Sequence, residues 1–513
     1  DMPTETELKL ALHPDDLPAL LSHPVLAGAT WERQPMAAVY FDTPSLDLRR
    51  SRMAVRSRRV GRRTWLTVKT AGSSVGGLSR RGEWEAPAPP GEPDFAAIVD
   101  DPALAAHLRE LAPALQPAFR TDFLRRRVVL LHGGARIEVA LDQGQIVAGA
   151  PPRQEPILEL ELELLDGPVD ALLDLAHTLA LGPGGRRESA LRLWPVQRSK
   201  AERGHALQAG ESPAPARAEA LSLDPGLSPV GAWRQTMLAA LTHLQANEAG
   251  IRAAADQGRL PDAECIHQAR VALRRLRSAL RLFAPVLPGR FTAHWLSVWG
   301  DLARALGPAR EADVRMVWLL PAMTGLGLGE QEQAPLLAHA RAEQRAAHAG
   351  AVAALTKPTF GADLLAFLRA VLAMPERASD AARLPRWARQ RLWRSHRRLQ
   401  AAAREALDAG PEGRHRLRLA VKRQRYAMEF LADLLPSRRG RRSMAALTDA
   451  QSVLGDLNDM DVARQWLSGL PTDLAPQAVA QLSGWVDAET ARRLQGLEAV
   501  ERALVVTPWR DDA

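Results

Sequence analysis

The chain has 513 residues and a single cysteine, Cys265. One thiol excludes an internal disulfide and any cysteine-based zinc site. Aromatic residues make up 5% of the chain, and Tyr40 and Tyr426 are its only tyrosines. The formal charge is +8 and the pI about 10.3. A nucleic-acid partner is nevertheless not expected, because the aromatic side chains that would stack on bases are not interleaved with the basic ones. No run of eighteen apolar residues occurs, so no membrane span or membrane partner is predicted. No secretory signal pattern is visible, and a cytoplasmic protein is the expectation. What remains is ordinary globular composition, 46% hydrophobic and 25% charged. The length calls for two to four domains. Arg greatly outnumbers Lys, which suits bidentate grip on phosphate oxygens.

The chain divides in two. Residues 2–204 read mainly as strands and turns. Residues 205–225 contain Gly210-Glu-Ser-Pro-Ala-Pro and Asp224-Pro-Gly-Leu-Ser-Pro229 around their end and suit a linker. Residues 226–504 read as long Ala/Leu/Arg helices.

In the first half, strand after strand carries charge on one face and apolar residues on the other. Glu5, Glu7 and Lys9 share a phase, with Leu8 and Leu10 opposite. Arg56 and Arg58 share one, as do Trp65, Thr67 and Lys69. Arg81, Glu83 and Glu85 follow, then Arg125 and Arg127, then Glu138 and Asp142 flanking Ala140. Leu158-Glu-Leu-Glu-Leu-Glu-Leu164 alternates strictly, which places Glu159, Glu161 and Glu163 together. One such strand is an ordinary solvated sheet face. Six or more leave two arrangements: a sheet whose charged faces meet water and whose apolar face is covered in part by short helices near Pro14–Leu21 and Val169–Leu179, or a closed antiparallel barrel with a polar, water-filled lumen and a partly covered outside. Like charges crowd inside a lumen only when opposite charges or ions neutralise them. The acids Glu5, Glu7, Glu138, Asp142, Glu159, Glu161 and Glu163 are hard ligands suited to Mg²⁺ or Mn²⁺. The bases Lys9, Arg56, Arg58, Lys69, Arg81, Arg125 and Arg127 suit a polyanion. A small, highly charged anion carrying metal ions, such as inorganic triphosphate or a nucleoside triphosphate, fits both sets.

Glu5-x-Glu7-x-Lys9, Tyr40-Phe-Asp-Thr43, Val55-Arg-Ser-Arg58, Thr67-Val-Lys69, Gly76-Gly-Leu-Ser-Arg-Arg-Gly-Glu-Trp-Glu85, Glu138-Val-Ala-Leu-Asp142, Glu161-Leu-Glu163 and Ser199-Lys-Ala-Glu202 occur in an order that resembles the CYTH, or triphosphate tunnel metalloenzyme, superfamily. The resemblance covers essentially the whole first half. It implies an eight-stranded tunnel barrel that hydrolyses triphosphates with Mg²⁺ or Mn²⁺, inorganic triphosphate first among them. It also implies roles: Glu5, Glu7, Glu161 and Glu163, with Asp142, on metal; Lys9, Arg56, Arg58, Lys69, Arg81, Arg125 and Arg127 on the phosphates; and Lys200 near the tunnel mouth on a terminal phosphate. Glu5, Glu7, Lys9, Asp142 and Lys200 are thereby the expected catalytic set.

The second half repeats. His267-Gln-Ala-Arg-Val-Ala-Leu-Arg-Arg-Leu-Arg aligns with His415-Arg-Leu-Arg-Leu-Ala-Val-Lys-Arg-Gln-Arg at an offset of 415 − 267 = 148 residues. The same offset aligns Leu306-Gly307 with Leu454-Gly455, and Asp313-Val314 with Asp461-Val462. Basic positions recur as His267, Arg270, Arg274, Arg277 and His415, Arg418, Lys422, Arg425. On a helix each set lies within roughly 80°, and Arg281 extends the first. Such stripes repel themselves unless acids (Asp313, Asp456, Asp459 and Asp461 are candidates) or a polyanion compensate. The paired stripes resemble the CHAD domain, which implies two four-helix units and inorganic polyphosphate held along a basic groove by these nine residues. His396 and Arg397-Arg398 are further basic candidates.

The expected architecture is therefore α+β multidomain: an N-terminal antiparallel tunnel barrel (2–204) and a C-terminal helical bundle (226–504) of two repeats, about 226–365 and 374–504. The expected function is metal-dependent hydrolysis of inorganic triphosphate to diphosphate and phosphate, in the cytoplasm and in association with polyphosphate granules. A non-catalytic polyphosphate-binding protein is the alternative, and an adenylate cyclase or organic triphosphatase the third reading.

Overall fold

The computed structural model describes residues 4–60, 63–70, 72–88, 93–376, 384–406, 410–435, 438–497, 500 and 504. They fold as two compact units: Asp1–Ala214 with Thr356–Ala373, and Pro215–Leu355 with Met374–Ala513.

The first unit contains β1 (Thr4–Leu12), α1 (Leu17–Leu21), β2 (Glu32–Asp42), α2 (Asp47–Arg50), β3 (Ala54–Val60), β4 (Arg63–Lys69), β5 (Ser73–Val75), β6 (Leu78–Pro87), α3 (Pro102–Leu111), β7 (Gln116–His132), β8 (Ala135–Ala148), β9 (Arg153–Asp166), α4 (Val169–Ala180), β10 (Leu193–Pro195) and α5 (Lys200–Ala209). The strands form one curled antiparallel sheet in the order β10-β1-β9-β8-β7-β2-β3-β4-β6-β5. A further β1–β6 pairing, Thr4 with Gly82 through Leu8 with Leu78, joins eight of these strands into a ring. The charged alternate positions point inward and the apolar ones outward, so the barrel needs cover on its outside. Leu8, Leu10, Leu160 and Leu162 are fully buried there, and α4 buries Leu172, Leu175 and Leu179 on the same side. On the opposite wall Val55, Leu66, Val68 and Trp84 pack under Phe95, Ala105 and Leu108, the last two on α3.

The second unit contains α6 (Pro229–Asp256), α7 (Ala263–Leu282), α8 (Gly289–Ala305), α9 (Gly307–Gly325) and α10 (Glu330–Thr356), which ends at the unit boundary. Helix α11 (Pro358–Ala373) belongs to the first unit, where it packs on α4 and β10. A Cβ at Gly361 would lie 1.9 Å from the Leu193 carbonyl oxygen, so only glycine permits this approach. Arg369 clamps Asp170 through two 2.8 Å bonds, and Arg187 clamps Asp363 at 2.9 and 2.7 Å. The helical unit resumes with α12 (Leu384–Ala406), α13 (Gly410–Leu431), α14 (Arg438–Ser468) and α15 (Pro476–Leu494).

The repeat offset maps α6 to α12, α7 to α13 and α10 to α15. It maps α8 and α9 together onto the single α14. Pro308, in the first turn of α9, has no N–H for the preceding turn and ends α8. Its counterpart is Asp456, which leaves α14 unbroken. The repeat mates Trp318 and Trp466 meet edge to face, with ring centroids 6.2 Å apart.

Candidate functional sites

The lumen of the barrel is a cavity of about 470 Å³. Among the described residues its wall carries seven carboxylates (Glu5, Glu7, Glu83, Glu85, Glu138, Glu161, Glu163) and seven cations (Lys9, Arg56, Arg58, Lys69, Arg125, Arg127, Lys200). The structure thus brings together nearly all the residues singled out in the sequence. Glu83 and Glu85 join them: their shared phase was visible, but nothing in it marked a role. The side chain of Arg81 lies outside the described residues. Asp142 lies fully buried behind the wall.

The two ends of the lumen differ. At one end Met36, Ala38, Tyr40, Phe119, Phe123 and Ile146 form an apolar plug, against which Ala201 and Leu207 of α5 pack. Helix α5 starts at a capping box, in which Ser199 accepts from the Glu202 N–H and Glu202 accepts from the Ser199 N–H. That cap points Lys200, the first residue of the helix, inward. Its ammonium lies 2.7 Å from Asp142 Oδ2 and 2.9 Å from Glu161 Oε1, and it also pairs with Glu159. Arg125 bonds Asp142 at 2.8 and 2.7 Å and pairs with Glu161, while Arg203 holds Glu159 at 2.8 Å. One oxygen from each of Asp142, Glu159 and Glu161 falls within 4.8 Å of the others, a spacing fit for a metal ion, but the Lys200 ammonium fills that place. Burial opposes charge here and is overruled: Lys200, Lys9 and Arg125 hold the Glu161 carboxyl well below the usual range.

Further along, acid outweighs base. Glu5 shares Lys69 with Glu83, each at 2.9 Å. Glu7 pairs with Lys9 and accepts from Ser79 Oγ at 3.2 Å. Glu138 stands beside Glu163 in the β8–β9 register, and Arg127 approaches Glu138 only to 3.6 Å. No base pairs with Glu163 among the described residues. Burial, then Glu5, Glu138 and Glu83, push its carboxyl up to about 7. A divalent cation supplies the charge this group of oxygens lacks, and carboxylate oxygens are the right donors for a hard ion. Arg56 donates to Tyr40 OH at 3.2 Å and Thr67 Oγ1 at 3.4 Å and forms no direct ion pair among the described residues, while Glu83 and Glu85 favour its charge from farther off. Arg58 pairs with Glu85, and Arg127 with Glu32 at 2.9 Å.

The helical unit holds a second cavity, about 910 Å³, between the two basic stripes. His267, Arg270 and Arg274 of α7 and Arg418, Lys422 and Arg425 of α13 line it. Arg277, Arg281 and His415 do not; Arg277 points toward Gly300 and Arg304 of α8. Arg217, Arg275, Arg310 and Arg315 line it too. They were missed because they lie outside the stripe, on α9, on the segment before α6, or one position off phase. Among the described residues nine Lys or Arg side chains therefore face four acids, Glu264, Glu311, Glu429 and Asp459. Arg270 donates to the Ala303 carbonyl at 2.8 Å, near the end of α8 that Pro308 creates. Of the suggested compensating acids, Asp459 faces the cavity. Asp313 is bound to His348 at 2.7 Å and Asp461 to Arg464 at 3.1 Å. His396 is 1% exposed and lies in the helical core, not on the basic surface.

A closed polar-lined barrel joined in one chain to a duplicated basic helical unit defines the class. Residues 3–189 match the family model of the CYTH domain and residues 235–468 that of the CHAD domain. The chain carries a CYTH domain followed by a CHAD domain. An inorganic triphosphatase of Haemophilus influenzae is 34% identical over 215 residues, which is 40% of this chain and 54% of that protein, so the match spans about half the length of this curated relative. Among solved structures, the CHAD domain from the plant Ricinus communis is 30% identical with a TM-score of 0.48, covering 57% of this chain and 97% of its own. A putative adenylyl cyclase from Hippeastrum, described as having a dominant triphosphatase activity, is 17% identical with a TM-score of 0.28, covering 40% of this chain and 96% of its own.

Proposed function

We propose that the barrel hydrolyses inorganic triphosphate to diphosphate and phosphate with Mg²⁺ or Mn²⁺, and that the helical unit binds inorganic polyphosphate. The observation that carries this reading is the contrast between the cavities. Among the described residues the helical cavity has nine Lys or Arg side chains against four acids and suits a bare polyanion. The lumen has seven of each among the described residues, so a polyanion entering it needs cations of its own. The name of the Haemophilus relative supports the same substrate.

Glu5, Glu7, Glu161 and Glu163, with Glu138 beside them, would hold the ion. When bound, it would neutralise phosphate oxygens and acidify a water. Phosphoryl transfer asks for positioning and charge neutralisation. Arg56, hydrogen-bonded to Tyr40 OH and Thr67 Oγ1, supplies a fork for phosphate oxygens, and Lys9 and Lys69 exchange carboxylate partners for phosphate. The place of Lys200 and Asp142, locked to each other and to Arg125, favours a positioning role over contact with the reacting atoms.

The test is phosphate release from inorganic triphosphate, ATP and long-chain polyphosphate, with Mg²⁺ or Mn²⁺ and with EDTA, alongside Glu5→Ala/Glu7→Ala. Metal-dependent release that the double variant loses is expected. No release from any substrate, with polyphosphate still bound, would leave a binding protein.

A further inference from the structure

The chain contains five lysines: Lys9, Lys69, Lys200, Lys357 and Lys422. The Lys and Arg total is 67, so 67 − 5 = 62 are arginine. Lys9, Lys69 and Lys200 are the ion-paired lysines of the barrel lumen. Lys422 is different. It sits in the helical cavity at the position where the other repeat carries Arg274, and no carboxylate pairs with it among the described residues.

Its surroundings are strongly positive. Arg270 and Arg274 face it from α7, and Arg418 from its own helix. Asp459 on α14 is the acid that opposes them, and Arg310 and Glu311 of α9, with His267 and Arg425, complete the charged wall. We propose that this cavity binds a polyanion together with a proton, and that Lys422 is the group that takes the proton up. The inference rests on the polyanion reading above and adds its regulation: occupancy rises as pH falls through neutrality.

Burial, then Arg274, Arg418 and Arg270, push the Lys422 amine down to about 7. Near neutral pH the empty cavity therefore holds a large share of neutral amine. A bound polyanion cancels the arginine field and favours the ammonium, so the proton comes from solvent. Arginine cannot respond this way, because it stays charged throughout. His267 is pushed down to about 4, by burial and then Arg310, and is too low to take part near neutrality. Asp459 is raised, by burial first, from a carboxylate's ordinary value.

The experiment is calorimetric titration of the full chain, in EDTA, with long-chain polyphosphate, whose interior phosphoryl groups carry no proton at neutral pH. Buffers of different ionisation enthalpy report the protons exchanged. The expected result is uptake of about half a proton per site at about pH 7, and an affinity that falls up to about tenfold per pH unit above it. Lys422→Arg should bind at least as tightly, with that uptake removed. The barrel, present in both proteins, cancels in the comparison. Equal uptake by the two proteins overturns the proposal while leaving polyphosphate binding intact. No binding heat in either protein removes the polyanion reading, and this inference with it.

Discussion

Lys200 Nζ lies 2.7 Å from Asp142 Oδ2, a carboxylate with no exposed surface, and completes a cage with Glu159 and Glu161. Removing one partner of a buried ion pair strands the others, at a cost of about 3–5 kcal/mol. Lys200→Met keeps the length and apolar stem of the side chain and removes only the charge. The variant is expected to lose about that much stability in urea denaturation carried out in EDTA. A variant as stable as the parent would show that the cage does not form.

Glu163 presents the opposite imbalance, an acid among acids. Its carboxyl is raised to about 7, so between the ordinary carboxylate value and 7 the folded chain holds a proton that the unfolded chain has lost. Metal-free stability should therefore decline as pH rises through that window. Glu163→Gln removes this slope and should raise metal-free stability at neutral pH by on the order of 1 kcal/mol. The same variant should weaken Mn²⁺ binding and metal-dependent phosphate release. Thermal melts in EDTA and with Mn²⁺ measure both halves. A loss of stability in EDTA would contradict the uncompensated charge.

Much of this was legible in advance because the relevant patterns are local. Alternation of period two placed Glu159, Glu161 and Glu163 on one face, and a duplication at fixed offset paired α7 with α13. Both survive folding because a strand or helix fixes its own side-chain directions. What escaped depends on packing between distant segments. No periodicity says that α11 docks on the barrel, since an apolar helix fits any apolar surface. Nor does it say that α5 closes one end of the lumen and sends Lys200 into the cage with Asp142. The basic stripes marked six of the cavity-lining residues, but a stripe is wider than the cavity it faces. Arg277, Arg281 and His415 fall outside, while Arg310 and Arg315 enter from a neighbouring helix.

The core of the second repeat contains polar groups without a partner among the described residues. Neither ring nitrogen of His396 has a hydrogen-bond partner there, and burial pushes the ring down to about 4. From about 6.5 down to about 4 the unfolded chain gains a proton that the folded chain refuses, so stability falls with pH across that window by up to about 3 kcal/mol. His396→Leu should flatten this slope. Gln424 is also fully buried, with both amide atoms unpartnered among the described residues, and its repeat mate is the buried Leu276. Gln424→Leu should stabilise the protein by about 1–3 kcal/mol, the cost of an unsatisfied buried polar group. Urea denaturation at neutral and mildly acid pH measures both effects. A destabilised Gln424→Leu protein would mean that the amide has a partner after all.

The division of the basic stripes gives the sharpest contrast for polyphosphate binding. Arg274 and Arg418 line the helical cavity from opposite repeats, whereas Arg277 and Arg281, on the same helix as Arg274, do not. A charge-assisted hydrogen bond to phosphate contributes about 1.5–3 kcal/mol. Arg274→Gln and Arg418→Gln should therefore each weaken polyphosphate binding by roughly tenfold or more. Arg277→Gln and Arg281→Gln should shift it by about twofold or less, through screened long-range attraction alone. Binding by the parent should also weaken steeply with added salt, because counterions released from the polyanion drive association. The two cavity variants should each reduce that salt slope by about one unit, and the two control variants should leave it nearly unchanged. Titrations at several ionic strengths supply both numbers. Equal losses from all four substitutions would place the polyanion along the whole of α7 and outside the cavity.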